Sequence, residues 1–181
     1  VDEMQQCIEM GYDEIHFYDD LFNITPKRLI AICDEIDNRG VKVKWDFRGR
    51  VNGTDYESLR RFKNSGGRMI SFGIETATDE GLKLLRKGSK VKENAQALKW
   101  CRELGIVSVA DYMIGLPHEK SEQDIWDGFK VLTKQYKPDF AQFGILSLYP
   151  NTEVYDQAVE KGLIEGDKWN KWALDPIDTE L

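Results

Sequence analysis

The residues of this chain best equipped for chemistry are Asp19 and Asp20 in tandem, Arg48, Glu75, the turn Gly115-Leu116-Pro117-His118-Glu119, and the pair Asn151 and Thr152. Each falls where a strand-like run ends. Arg48 carries a planar fork that matches a carboxylate; its structural alternative is an internal pair with Asp46, Asp20 or Glu75. Asp19, Asp20 and Asn23 offer the oxygen ligands a divalent cation takes. Their spacing matches no metal loop, so capping of the helix that starts after Thr25, or a solvated turn, is preferred, and no metal site is expected. Glu75 ends the run Met69 to Thr76, in which Ile70, Phe72 and Ile74 share one face and Ser71, Gly73 and Glu75 the other. A buried strand of an α/β protein is apolar on both faces, so a small, polar second face suggests a bordering cavity. Capping the next helix, or plain solvation, is the equally weighted role for Glu75. Glu119 is expected to fix the Gly-Leu-Pro turn through backbone hydrogen bonds. His16 reads as a packed strand histidine and His118 as an exposed turn residue.

The bulk composition narrows the classes. With 181 residues, 41% of them hydrophobic and 31% charged, the chain can bury the core of one soluble domain. A net charge of -7 argues against a general nucleic-acid binder, which neutralises phosphates with clustered Lys and Arg. No apolar run reaches the roughly 18 residues of a membrane span. Cys7, Cys33 and Cys101 are odd in number and far apart, which indicates neither a disulfide framework nor a metal site. Each falls in a helical apolar pattern and reads as a buried thiol, with a reducing cytoplasm as the default setting. G-x-G-x-x-G, P-loop and HExxH signatures are absent.

The elements that must position these residues alternate. Glu14 to Tyr18 is a β-prone run, Thr25-Pro26 caps a helix, and Gly40 ends it. Val41 to Arg48 alternates Val41, Val43, Trp45 and Phe47 with Lys42, Lys44, Asp46 and Arg48, the polar set facing a lumen or cleft. Thr54 to Glu57 reads as a capping box, and Met69 to Glu75 is the next strand. A short helix from Thr78 and a longer one through Ala97, Leu98, Cys101 and Leu104 follow. Ile106 to Ile114 is a strand, Ser121 to Asp124 a capping box, and Phe140 to Leu148 the last strand, before a helix that runs to about Gly162. Strands alternating with helices predict right-handed βαβ units and a parallel sheet. The expected fold is α/β, an open, partial TIM-like barrel of about five parallel strands.

Five stretches, one at each strand end, occur in the order seen in radical SAM enzymes, and together they resemble that superfamily. They are Phe17-Tyr18-Asp19-Asp20-Leu21-Phe22, Trp45-Asp46-Phe47-Arg48-Gly49-Arg50, Ser71-Phe72-Gly73-Ile74-Glu75-Thr76, Tyr112 to Glu119, and Tyr149-Pro150-Asn151-Thr152. The similarity is to the cobalamin-binding branch, including the anaerobic magnesium-protoporphyrin monomethyl ester cyclase type. The resemblance implies a truncated radical SAM (β/α)6 barrel that holds S-adenosylmethionine (SAM) and a [4Fe-4S] cluster over the strand ends. It also implies reductive cleavage of SAM to a 5′-deoxyadenosyl radical, for hydrogen abstraction, methyl transfer or ring-forming chemistry. Carried over by motif position, the backbone of Tyr18, Asp19 and Asp20 would meet the methionine amino group. Arg48 and Glu75 would contact the carboxylate or ribose, beside the small face of Ser71 and Gly73, and Ile114 with Gly115 would line the adenine. A zwitterionic amino acid wants one acid, one cation and backbone dipoles, which this set supplies.

Two departures from the family pattern stand out. The CxxxCxxC cluster loop is missing, and His118 occupies a position where glycine is usual. Residues 1–165 are accordingly read as the core of a radical SAM domain, and 166–181, with Trp169, Trp172 and Pro176, as a tail. The first strand, its cluster loop and any cobalamin domain are expected upstream of Val1. The fragment alone is then expected to be inactive, with no catalytic residue of its own. Expected partners are a small-molecule substrate, an electron donor such as flavodoxin or ferredoxin for the parent enzyme, and a second copy or a terminus on the exposed Glu14 to Tyr18 edge. The rival readings are a cofactor-independent barrel lyase or hydrolase using Lys44, Asp46 and Glu75, and a non-catalytic binding domain that docks through the tryptophan-bearing tail.

Overall fold

The computed structural model of the protein describes residues 1–164; the tail with Trp169, Trp172 and Pro176 lies outside them. Five strands, β1 (Glu14–Phe17), β2 (Lys44–Gly49), β3 (Gly67–Glu75), β4 (Val107–Ile114) and β5 (Phe140–Ile145), lie side by side in sequence order. Every pairing is parallel. Helix α1 (Asp2–Glu9) precedes β1, and between the strands come α2 (Pro26–Asn38), α3 (Tyr56–Asn64), α4 (Asp79–Leu84), α5 (Val91–Leu104) and α6 (Glu122–Val131), the last continuing as one π-helical turn over Leu132–Tyr136. This is the open parallel α/β arrangement expected. Residues Val1–Ile145 form one compact unit; a second begins at Leu146 and holds α7 (Glu153–Glu160). Within the second unit, Thr152 caps α7 by accepting from the Tyr155 N–H at 3.3 Å, and Asn151 takes a positive φ of 65°.

Local chemistry sets the boundaries. Thr25 caps α2, with Pro26 at its first position. Ser121 and Asp124 form the expected capping box of α6. The box of α3 is displaced by one residue: Asp55, not Thr54, is the cap, paired with Ser58, while the Thr54 hydroxyl donates to the Val51 carbonyl at 2.7 Å. Strand β2 begins at Lys44 rather than Val41, and β5 stops at Ile145 rather than Leu148.

The helix-facing side of the sheet carries the core. Trp45 and Phe47 each meet Phe62 edge to face, with ring centroids 4.6 and 5.3 Å apart. Ile70, Phe72, Ile74, Leu59 and Leu98 are fully buried around them. Burial of each such side chain contributes roughly 1.5–3 kcal/mol. Trp45 donates its indole N–H to the Ser65 carbonyl at 3.1 Å, so its one polar atom is satisfied inside. With the odd residues of β2 and the even residues of β3 committed to this core, Asp46, Arg48, Ser71, Gly73 and Glu75 are forced onto the opposite face.

Candidate functional site

Strand register brings the polar face together. Arg48 on β2 lies beside Ser71 on β3, and Gly73 lies beside Asp111 on β4. Arg48 Nη2 approaches Asp111 Oδ2 at 3.2 Å, and the Ser71 hydroxyl donates to the same oxygen at 2.9 Å. The other Arg48 amino group donates to the Tyr18 hydroxyl at 3.2 Å, with the guanidinium carbon 5.3 Å from the Tyr18 ring centroid. None of the internal partners anticipated for Arg48 takes that place. Asp46 instead receives His16 Nδ1 at 2.6 Å, and Glu75 pairs with Lys87 at 3.0 Å.

All of these groups but His16 and Asp46 line a cavity of about 300 Å³ at the carboxyl ends of β1 to β4, whose walls are Tyr18, Asp19, Asp20, Arg48, Gly49, Arg50, Ser71, Gly73, Glu75, Lys87 and Asp111. Seven of the nine residues singled out from sequence are among them. Ile114 ends β4 and Gly115 starts the following turn with φ +85°; neither lines this cavity. Gly49, Arg50, Lys87 and Asp111 are additions, and the signal for Asp111 was a lone carboxylate in an otherwise uncharged strand. Asp111 Oδ1 is buried without a hydrogen-bond partner, which leaves one acceptor beside the cavity unsatisfied.

Two local devices hold the walls. Asn23, 1% exposed, accepts from the Arg50 N–H at 2.9 Å and donates to the Arg50 carbonyl at 2.8 Å, tying the loop after β1 to the end of β2. Gly49 is required there, because a Cβ would sit 2.1 Å from Asn23 Oδ1. Gly73 gives clearance of another kind: a Cβ would lie 2.6 Å from Glu75 Oε1 and 3.0 Å from Lys87 Nζ.

Glu119 meets its expectation, with Oε2 accepting from the N–H groups of Gly115 and Leu116 at 2.7 and 2.9 Å. His118 does not. It is partly buried, with Nε2 2.9 Å from the Thr78 hydroxyl. Nor is His16 packed away, its side chain being 59% exposed. The hydrogen bond and charge of Asp46 raise its pKa above the ordinary histidine value.

The residues present suit SAM, an amino acid joined to a ribose and a sulfonium. Arg48 and Lys87 suit the carboxylate, while Glu75 and the unsatisfied Asp111 oxygen suit ammonium or hydroxyl donors. They do not suit an iron-sulfur cluster. Cys33 and Cys101 are buried on separate helices, and desolvation pushes their thiols up to about 11 and about 12. Among the described residues no group of three His, Cys, Asp or Glu is placed to hold a metal ion. The lyase set is also dispersed, since Lys44 and Asp46 lie outside the cavity that Glu75 lines.

A sequence profile of the radical SAM superfamily matches residues 1–127. The chain belongs to the radical SAM superfamily. It is 30% identical over 170 residues to an uncharacterized methyltransferase of Pyrococcus horikoshii, spanning 93% of this chain and 37% of that protein. It is 29% identical over 168 residues to the anaerobic magnesium-protoporphyrin IX monomethyl ester cyclase of Cereibacter sphaeroides, spanning 87% and 26%. The chain thus spans about a third of the length of the curated relatives it matches. Among solved structures, the radical SAM methyltransferase TsrM of Kitasatospora setae, with cobalamin and a [4Fe-4S] cluster bound, superposes with TM-score 0.78 at 18% identity, over 88% of this chain and 33% of that one. The cobalamin-dependent radical SAM enzyme OxsB gives TM-score 0.62 at 20% identity, over 88% and 24%. These likenesses identify the sheet as the strand framework of a radical SAM barrel.

Proposed function

We propose that this chain is the SAM-holding body of a radical SAM enzyme. The observation that carries the reading is the convergence of Arg48, Ser71, Glu75, Lys87 and Asp111, from three strands and a loop, on one cavity at the carboxyl ends of a parallel sheet. When bound, SAM supplies the sulfonium whose cleavage is the family's chemistry. Arg48, held by Tyr18 and Asp111, presents a fixed guanidinium to the carboxylate of the amino-acid moiety. Asp19 and Asp20, exposed at the end of β1, bring negative charge to the ammonium. Glu75, aimed by Lys87, and Asp111 accept from ribose hydroxyls, and the adenine extends beyond the cavity walls towards Ile114 and Gly115. Cluster ligands come from outside the described residues, and an upstream domain is the place for cobalamin.

The test is calorimetric titration of the 181-residue chain with SAM. Saturable binding at one site, lost when Arg48 and Glu75 are both replaced, is expected. Absence of saturable binding by SAM and by S-adenosylhomocysteine would overturn the reading.

The parent enzyme, on the same reading, works in the cytoplasm, takes electrons from a flavodoxin or ferredoxin, and acts on a small molecule. No described helix is long and apolar enough to cross a membrane. Strand β1 is an edge of the described sheet. We infer that a second copy or a terminus covers it, because open edges invite pairing. Light scattering that gives a monomer, together with fast amide exchange from Ile15 to Tyr18, would refute that.

A further inference from the structure

We propose that His118 is a positioning residue that holds a strained turn at Glu75 and thereby aims the Glu75 carboxylate into the cavity. This role rests on the reading of the cavity as a SAM site. Glu75 has φ +64°, in the left-handed region, and the Thr76 N–H donates to the Ile74 carbonyl at 2.8 Å. A bond from residue i+2 back to residue i across a positive-φ centre is the rare, strained form of the γ-turn. The β3–β4 register shifts at the same place. A non-glycine residue keeps such a conformation only where its surroundings over-determine it.

Two sets of contacts do so. On the cavity side, Lys87 holds the Glu75 carboxylate at 3.0 Å. On the buried side, the clamp falls on Thr76, which is 1% exposed. His118 Nε2 lies 2.9 Å from the Thr78 hydroxyl and 3.4 Å from that of Thr76, and the Tyr136 hydroxyl reaches the Thr76 carbonyl at 3.4 Å. The Thr78 hydroxyl is fixed in turn, accepting from the Gly81 N–H at 3.0 Å. The imidazole seats on Gly81 itself, where a Cβ would be 2.4 Å from His118 Cε1 and 2.7 Å from Nε2. Because His118 belongs to the turn that Glu119 braces, it ties the loop after β4 to the loop after β3. Gly115 opens the first of these loops, and Glu75 is the last residue of β3 before the second. His118 thereby helps to fix the ribose end of the site, at Glu75, relative to the adenine end, at Gly115.

The experiment compares H118A, H118Q and G81A in the 181-residue chain. The readouts are the Glu75 and Thr76 backbone carbon shifts, which report the sign of φ, amide exchange over residues 76–81 and 115–121, and the dissociation constant for SAM. In H118A the turn relaxes; if the strained form falls to about a tenth of the population, the apparent Kd rises about tenfold. Exchange in both loops rises with it. H118Q, which keeps an amide within reach of Thr78, stays within about threefold of wild type. G81A relaxes the turn as H118A does, because its methyl displaces the ring and also meets Thr76 Cγ2 at 2.8 Å, although alanine otherwise favours a helix. Unchanged Glu75 shifts in both H118A and G81A overturn the proposal, as does H118A binding SAM within twofold of wild type. If the wild-type chain binds no SAM, the cofactor reading fails by itself. The carbon shifts still decide whether His118 holds the turn.

Discussion

Replacing Arg48 by methionine removes the guanidinium and keeps the stem, and the structure separates its effect on the fold from its effect on binding. Arg48 is 37% exposed at its side chain and Asp111 22%, so solvent screens their ion pair. Exposed pairs contribute about 0.2–1 kcal/mol, and the stacking on the exposed Tyr18 ring about 0.5–1 kcal/mol. The fold should lose about 1–2 kcal/mol in total, a fall in Tm of about 2–8 °C for a chain of this length. A hydrogen bond to a charged group is worth about 1.5–3 kcal/mol, so the Kd for SAM should rise roughly ten- to a hundredfold. The assay is a cycle by calorimetry: wild type and R48M, each with SAM and with decarboxylated SAM, which lacks the carboxylate. The mutation should weaken SAM and leave the decarboxylated ligand within about twofold, a coupling that contact between the two groups requires. Equal losses for both ligands would show that Arg48 only braces Asp111. A Tm loss well beyond about 8 °C would show that its charge serves the fold.

Gly73→Ala places a methyl against Glu75 Oε1 and Lys87 Nζ. Both atoms are the ends of flexible side chains in a cavity wall and can swing aside, so chemical denaturation should stay within about 0.5 kcal/mol of wild type, while the displaced Glu75 carboxylate should weaken SAM binding. Asn23→Ala leaves the Arg50 N–H and carbonyl without their side-chain partner; the cost should be about 1–3 kcal/mol, with SAM binding weakened alongside stability. The His16–Asp46 pair raises the folded-state pKa of His16. Its stabilisation is therefore complete below the unfolded histidine value, about 6.5, and is lost as pH rises through the higher folded value. The chain has two histidines, so proton NMR resolves the titration directly, and D46N should return His16 towards the ordinary value. Desolvation holds Cys33 and Cys101 in the thiol form, so at pH 8 a thiol reagent should modify half-buried Cys7 first and the other two only on unfolding.

Much of this protein is written locally. Alternation within β2 and β3 is a period-two pattern, so it placed Arg48, Ser71, Gly73 and Glu75 on one face without knowledge of any neighbour. The strand-end positions of Tyr18, Asp19 and Asp20 followed from the same run lengths, and the order of elements was enough to predict a parallel sheet. Capping signals act over three residues, which is why Thr25 and Ser121 were legible and why Thr54 and Asp55, adjacent and both competent, were confused by one position. The partners of the site residues were decided elsewhere. Arg48 meets Asp111 and not Asp46 because β3 lies between β2 and β4 in a fixed register, and sequence spacing carries no trace of that register. Asp46 is taken by His16 across a neighbouring strand, and Glu75 by Lys87 from the loop after α4. His118 passed for an exposed turn residue because the residues that receive it, Thr76, Thr78 and Gly81, stand some forty positions earlier in the chain. Side-chain alternation is a property of a single chain segment and can be read from it. Which side chains then touch depends on packing between segments, and that exists only in the folded molecule.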